Sequence, residues 1–300
     1  MADFDIAIIG TGSGNSLLDE RYVDKRVAIC EKGVFGGTCL NVGCIPTKMF
    51  VYAAGVAQQI RDSARFGVDA HIDGVRWPDI VSRVFGRIDP LAAGGEQYRR
   101  SSPNVEVFAS HTRFAARNDD GSYQLHTDDG DEFSAEQVVI AAGAWAPSLG
   151  AQLSIAVPMR VTRRHLMVSA PTRDVCPEWP VVWDDRAGLY ARPESSGLLV
   201  SACDVSEVQP EPLRADPDVR HLLAEKTLRL LPGCGDLSMA HFWPGLRTLT
   251  DDDVPWLGAD PQVDGLFWLA GFGGHGISVC AAAGHLAADL ICGHSANEAL

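Results

Sequence analysis

The sequence predicts an α/β fold, with parallel strands opening the chain and an antiparallel sheet in its second half. Three observations lead there. Asp5 to Ile9 is an apolar run stopped by Gly10, and Arg26 to Cys30 is a second stopped by Glu31, with a helix-sized segment between them. Short apolar runs closed by turn residues read as buried strands, and this pair as a strand, turn, helix, strand unit. Gln137 to Ala142 returns as another buried strand ending in Gly143, after which short strand-like runs dominate.

Gly10-Thr11-Gly12-Ser13-Gly14-Asn15 fills the first turn. Glycines after a strand let the backbone approach a pyrophosphate and donate N–H groups from a helix start. Asn15 stands where the general dinucleotide fingerprint has its third glycine, and Glu31 follows at the roughly twenty-residue distance of a carboxylate that bonds ribose hydroxyls. Next comes the run Gly36-Gly37-Thr38-Cys39-Leu40-Asn41-Val42-Gly43-Cys44-Ile45-Pro46-Thr47-Lys48. A helix is expected from about Thr38, where free N–H groups and the helix dipole favour a thiolate at Cys39. Cys44, more than one turn further, is placed to reach back to it. Pro46 and Thr47 are expected inside the same helix, where a proline frees a carbonyl and bends the backbone.

Met49 to Arg65 and Trp77 to Arg100 read as long helices, the second with Val81, Val84, Phe85, Ile88 and Leu91 as a core-facing stripe. Glu106 to Phe108, His111 to Phe114, Tyr123 to Thr127 and Glu132 to Phe133 read as a small antiparallel meander, broken by Asp119-Asp120-Gly121 and Asp128-Asp129-Gly130. Beyond Gly143, strands are expected near Met159 to Val168, Val181 to Trp183, Gly188 to Arg192, Gly197 to Ala202 and Met239 to Pro244. One helix is expected from Asp216 and Pro217 to about Leu231, stopped by Pro232-Gly233.

Of the 300 residues 46% are hydrophobic and 21% charged, which excludes general disorder and allows one large or two modest domains. The 25 basic and 39 acidic residues leave a net charge of -14, which argues against nucleic acid as a partner. Residues 1 to 9 carry Asp3 and Asp5 and no basic stretch before an apolar one, so no secretory signal is read there. The most apolar stretch, Leu266 to Ile291, is interrupted by glycines, His275, His285 and Asp289, so no membrane span is expected. A soluble cytoplasmic protein follows, with a small-molecule substrate and an oligomeric state the sequence leaves open. Among eight cysteines only Cys39 and Cys44 have a spacing with a mechanism; Cys30, Cys203, Cys280 and Cys292 are expected as small buried hydrophobes, Cys176 and Cys234 in loops, and no metal site is read.

The cysteine run and the opening glycine turn resemble the pyridine nucleotide-disulfide oxidoreductases, their mycothione reductase branch in particular, over residues 1 to about 140. From Val138-Val139-Ile140-Ala141-Ala142-Gly143-Ala144-Trp145-Ala146-Pro147 onward the chain is similar to the D-amino acid oxidase and glycine oxidase group. Leu189-Tyr190-Ala191-Arg192-Pro193, Pro244-Gly245-Leu246-Arg247 and Asp264 to Gly276 carry that likeness, which extends to about residue 293. Both families build their flavin domain on one plan, so an exchange near Gly143 preserves its topology. The resemblances imply an FAD/NAD(P)-binding Rossmann-like domain from 1–143 and 248–293, and an antiparallel-sheet substrate domain from 144–247.

FAD is the implied cofactor. The first half would hold it through Gly10, Gly12, Gly14, Asn15, Glu31 and Lys32, then Gly37, Thr38, Lys48 and Thr112. The second would add Ala142 and Gly143, and a bend of Gly271, Gly273, Gly274, His275, Gly276 and Ile277. A structural packing role for His275 stays open, as does a solvated loop or a metal site for Asp251-Asp252-Asp253. Cys39 and Cys44 would form a redox-active disulfide. Arg247 would pair with the carboxylate of an amino acid, a surface salt bridge being the alternative, and Thr248 replaces the proline that follows in that family. Tyr190 would line the pocket or simply pack. The favoured reaction is oxidation of a small amine or amino acid by hydride transfer to flavin N5. Two alternatives stand beside it: an NADPH-dependent thiol-disulfide reductase using Cys39 and Cys44, although the second glycine fingerprint and dimer domain of such reductases are not read here, and an FAD-binding fusion without catalytic activity.

Overall fold

The computed structural model describes residues 2–12, 18–42, 44–176, 178–194, 196–234 and 236–294, with side chains for all of these except 2, 44, 47, 277 and 278. The strands are β1 (Ala2–Ile9), β2 (Val27–Cys30), β3 (Val105–Phe108), β4 (Thr112–Arg117), β5 (Tyr123–Thr127), β6 (Glu132–Ile140), β7 (Met159–Ser169), β8 (Val182–Asp184), β9 (Leu189–Glu194), β10 (Gly197–Ser201), β11 (Ser206–Glu207), β12 (Met239–Thr250), β13 (Trp256–Ala259) and β14 (Leu266–Ala270). The α-helices are α1 (Gly37–Asn41), α2 (Cys44–Asp62), α3 (Trp77–Ser101), α4 (Ala146–Gln152), α5 (Pro217–Leu230) and α6 (Gly276–Ile291). Among the described residues, no helix is long and apolar enough to cross a membrane.

One sheet runs β13-β14-β6-β1-β2-β3, with β4 and β5 extending from β6. Strands β14, β6, β1, β2 and β3 are parallel, and Ile9 lies opposite both Cys30 and Ile140, so their carboxyl ends fall on one edge. Both faces are buried, which explains why these strands read as unbroken apolar runs. Ile6, Ile8, Val27, Ile29, Val139, Phe267 and Leu269 pack against Ala283, Ala287 and Ile291 of α6. Their sequence neighbours Ala7, Ala28, Ile140 and Trp268 turn the other way, onto Leu149 of α4 and onto Tyr123, Leu125 and Phe133. Each fully buried large apolar side chain contributes about 1.5–3 kcal/mol, so this two-sided burial anchors the edge that carries the site.

Several local expectations change. Val105 to Phe108 belongs to the parallel sheet beside β2, not to the meander, because its residues are drawn into register with Val27 to Cys30. The meander is therefore β4, β5 and β6, and Glu132 to Ile140 is one continuous strand. In the connection from β1 to β2, where a helix is expected, residues 13–17 lie outside the described set, and Glu20–Tyr22 form a 3₁₀ turn capped by Asp19. The cysteine run is not one helix either. α1 ends at Asn41, whose side-chain amide donates to the carbonyls of Phe35 and Gly37, and α2 starts at Cys44. Pro46 thus sits in the first turn of α2, where its missing N–H costs no hydrogen bond, and frees no carbonyl. On α3, Val84, Ile88 and Ala92 form the buried stripe, and Leu91 is 53% exposed.

The second sheet runs β11-β7-β10-β9-β8, with β12 also paired to β7. Its pairings with β9, β10 and β11 are antiparallel, as the sequence leads one to expect. Val219 and Leu223 of α5 pack on Met167, Ala191, Leu198 and Val200. α5 begins where expected, with the Asp216 side chain accepting from the Asp218 N–H at 3.0 Å and Pro217 in the first turn.

The chain divides into two compact units, one formed by 1–46, 85–160 and 248–300 and the other by 47–84 and 161–247. Residues 144–160 go with the parallel sheet, since Ala146, Leu149 and Met159 are part of its core. Residues 47–84 go with the antiparallel sheet: Gln58 accepts from the Ser196 hydroxyl at 2.5 Å, and Arg65 pairs with Glu178.

Candidate functional site

At the carboxyl edge of the parallel sheet, Gly10 ends β1 with its N–H bonded to the Cys30 carbonyl at 2.8 Å. Its φ is +108°, and a Cβ there would lie 2.9 Å from the Ala141 carbonyl oxygen, so no larger residue fits. Gly12, by contrast, has nothing within 4 Å of where a Cβ would point, which leaves its backbone open to a ligand.

Glu31 directly follows β2 and locks this loop in place. One carboxylate oxygen accepts from the Thr11 N–H at 2.9 Å and the Thr11 hydroxyl at 2.6 Å, and the other accepts from the Gly33 N–H at 2.9 Å. The Thr11 hydroxyl oxygen in turn accepts from the Gly36 N–H at 3.3 Å. A carboxylate has about four acceptor positions, so one remains for a ribose hydroxyl after these three bonds. A cleft of about 210 Å³ opens beside the loop, lined by Thr11, Gly12, Phe35, Gly36, Leu40 and Arg99 among others.

Gly143 follows β6 with φ +53° and open space on its Cβ side, and begins a 3₁₀ turn through Trp145. The Lys32 ammonium lies 4.8 Å from the centre of the Trp145 ring, a cation–π contact. β14 runs beside β6, with Trp268 opposite Ile140, so the bend from Gly271 to Gly276 lies on the neighbouring strand end. Gly271 and Gly273 have φ of +78° and +56°, and the Gly273 N–H donates to the Thr248 carbonyl at 2.9 Å. Gly274 and His275 are exposed, and His275 caps α6, which starts at Gly276.

The fold thus brings Gly10, Gly12, Glu31, Gly37, Thr38, Ala142, Gly143 and the 271–276 bend to one edge of one unit. Gly14 and Asn15 lie outside the described residues, as do the side chains of Cys44 and Ile277. Thr112 is buried, with its hydroxyl engaged by the Ser110 carbonyl and the Cys30 thiol. Cys39 is half-buried on α1, a helix of five residues whose dipole is correspondingly small. Lys48 and Arg247 are exposed members of the other unit, on α2 and β12. Arg99 escaped the sequence reading. Its only signal was a basic pair, Arg99 and Arg100, in the last turn of a helix, which ordinarily means no more than charge complementing the helix end.

Open backbone at Gly12 and Gly143, a carboxylate at the end of β2 and a cleft at the first strand turn fit a dinucleotide. The comparisons agree. Residues 85–290 match the model of the family described as FAD dependent oxidoreductase, and residues 4–160 match that of pyridine nucleotide-disulphide oxidoreductase. The chain is 70% identical over 144 residues to mycothione reductase of Mycobacterium tuberculosis, covering 48% of this chain and 31% of that one. It is 31% identical over 204 residues to glycine oxidase of Geobacillus kaustophilus, covering 67% of this chain and 52% of that one. The chain therefore spans about a third and about half of the lengths of these two relatives.

Among solved structures, glycine oxidase from Geobacillus kaustophilus superposes with a TM-score of 0.61 at 21% identity, covering 98% of this chain and 96% of that one. Iminodiacetate oxidase from Chelativorans sp. BNC1 gives 0.60 at 20% identity, covering 97% and 96%. At such identities the likeness speaks to the fold. FAD is the cofactor of both matched families. The chain belongs to the FAD dependent oxidoreductases through residues 85–290 and, through residues 4–160, to the pyridine nucleotide-disulphide oxidoreductases.

Proposed function

We propose that this protein oxidises a small amine or amino acid. The observation that carries the reading is Arg247: it is exposed on β12, and its guanidinium has no ion-pair partner among the described residues. A planar fork of donors suits bidentate capture of a substrate carboxylate. FAD, when bound, supplies a two-electron acceptor for the hydride on the carbon bearing the amine. The chain's own residues have simpler tasks. Gly10 and Gly12 let backbone approach the pyrophosphate, Glu31 accepts from ribose hydroxyls while fixing Thr11, and the 271–276 bend offers N–H groups at the start of α6. Arg247 orients the carboxylate so that the reacting C–H bond is presented repeatedly in one geometry. We place the protein in the cytoplasm, where a reducing environment keeps its cysteines outside the 39–44 pair as thiols.

A second reading rests on the match of residues 4–160, which spans Cys39 and Cys44. In it the two cysteines form a disulfide that accepts electrons from NADPH through the flavin and passes them to a thiol-disulfide substrate. Anaerobic titration of the purified yellow protein separates the readings. Bleaching by glycine, sarcosine or D-amino acids supports the amine oxidase, and bleaching by NADPH with new thiols at Cys39 and Cys44 supports the reductase. No bleaching by either rejects both and leaves an FAD-binding protein without this chemistry.

A further inference from the structure

α5 covers one face of the antiparallel sheet, and strand alternation identifies what lies on the other. Met167 on β7 and Phe242 on β12 pack toward α5, and His165 stacks on Phe242 on that side with ring centres 5.1 Å apart. Arg164 and Arg247, an odd number of residues from Met167 and Phe242, therefore project from the opposite face. β12 pairs with β7, and the Thr162 hydroxyl donates to the Arg247 carbonyl at 3.4 Å, which sets Arg247 two residues along from Arg164 on the adjoining strand.

Arg164 is only partly satisfied. Its Nη1 donates to the Cys203 carbonyl at 2.8 Å and to the Asp204 carbonyl at 2.5 Å, and its Nε is buried without a hydrogen-bond partner. Asp204 is the acid that acts on it, yet both oxygens of that carboxylate are taken by His165: the backbone N–H at 2.8 Å and Nδ1 at 2.7 Å. Burial, and then the charge of Arg247, hold the Arg164 guanidinium below its ordinary pKa. Among the described residues no carboxylate is ion-paired to either guanidinium; Glu207 of β11 stands opposite Thr162 on the same face, and two cations beside one carboxylate leave a local excess of positive charge that an anion relieves.

We propose that Arg164 and Arg247 form a two-cation subsite for a dicarboxylate, so that the substrate is an amine bearing two carboxylate groups. This rests on the oxidase reading for the reaction, with Arg247 taking the carboxylate next to the amine and Arg164 the second one. A monocarboxylate neutralises one guanidinium and leaves its neighbour uncompensated, whereas a dicarboxylate neutralises both.

Calorimetric titration of the FAD-loaded protein with malonate, succinate and acetate tests the subsite without turnover. The better dicarboxylate is expected to bind about tenfold or more tighter than acetate, with that ratio falling to about threefold or less in Arg164→Gln. Arg164→Lys keeps a donor for the Cys203 and Asp204 carbonyls and is expected to retain part of the ratio; it also serves if the glutamine variant fails to fold. Equal binding of acetate and dicarboxylates, or a ratio untouched by both substitutions, overturns the proposal. Anaerobic bleaching by D-aspartate, D-glutamate, glycine and sarcosine then separates the two levels. Dicarboxylate preference without bleaching by any amine sinks the oxidase reading and leaves the subsite standing. Bleaching by glycine or sarcosine without dicarboxylate preference does the reverse.

Discussion

Gly37 and Gly12 meet backbone to backbone: a Cβ on Gly37 would lie 2.7 Å from the Cα of Gly12, and Gly37 holds φ at +60°. The start of α1 is thereby clamped onto the first glycine loop. Two segments 25 residues apart in sequence become one surface, with the Glu31, Thr11 and Gly36 hydrogen bonds as its second tie.

Gly37→Ala is therefore expected to be costly on two counts, a side chain in the left-handed region and a backbone clash, with a loss of about 1–3 kcal/mol. Gly94→Ala provides the contrast. Gly94 lies inside α3 with nothing within 4 Å of its Cβ direction, so the exchange is expected to stabilise by about 0.4–1 kcal/mol. Thermal unfolding of both variants checks the signs, and the flavin-to-protein absorbance ratio should drop only for Gly37→Ala. A fully loaded, equally stable Gly37→Ala would show that the contact between Gly37 and Gly12 does not clamp the loop.

How much of this was legible in the sequence differs from element to element. β1, β2 and β6 were readable because strands buried on both faces are apolar at every position and end in Gly10, Glu31 and Gly143. α5 was readable because Asp216 and Pro217 state a helix start directly. β3 was misassigned because four residues carry no record of whether their partner runs parallel, which β2 decides. The break between α1 and α2 depends on the Asn41 amide reaching back to Phe35 and Gly37, a tertiary choice that propensity does not register. The glycines of the site were visible for the same reason that they are required there, whereas Arg99 and Arg164 were hidden, since an arginine's surroundings are set by the fold.

The bond between Glu31 and Thr11 predicts a coupled effect on cofactor binding. Thr11→Val removes the 2.6 Å hydroxyl bond, and Glu31→Gln weakens both that bond and the contact with ribose proposed for the carboxylate. Each is expected to weaken FAD binding, and the double variant to lose less than the sum, with a coupling of about 0.5–3 kcal/mol. FAD titration of the four apoproteins by flavin fluorescence measures it. Strict additivity would mean that Glu31 does not act through Thr11.

In the antiparallel sheet, His165 and Asp204 are buried partners: Asp204 accepts from both the backbone N–H and the ring of His165, and the remaining ring nitrogen accepts from the Asp216 N–H at 2.9 Å. His165→Ala would leave Asp204 with an unmatched buried oxygen and strip α5 of a bond at its cap. A loss of about 3–5 kcal/mol is expected, as for other broken buried pairs. Urea unfolding followed by tryptophan fluorescence reports it, and a loss near zero would show that water replaces the ring without penalty.

Alkaline pH offers a test of the parallel sheet's core. Burial pushes the Cys30 thiol from 9.0 up to about 12, and burial likewise pushes the Tyr123 hydroxyl from 10.0 up to about 12. Cys30 lies under the site edge at the end of β2, and Tyr123 donates to the Asp264 carbonyl at 2.6 Å. Both groups are neutral when protonated, so the folded state holds its protons to higher pH than the unfolded chain does. Their contribution is complete below pH 9.0 and is lost as pH rises through the interval to about 12. In that interval stability should fall by up to about 1.4 kcal/mol per pH unit for each group. Cys30→Ala removes one ionisable group, so its stability, although lower at neutral pH through the lost packing, should decline less steeply from pH 9 to 11. Urea midpoints measured across that range decide the matter, and identical slopes for Cys30→Ala and the parent chain would show that Cys30 does not titrate with unfolding.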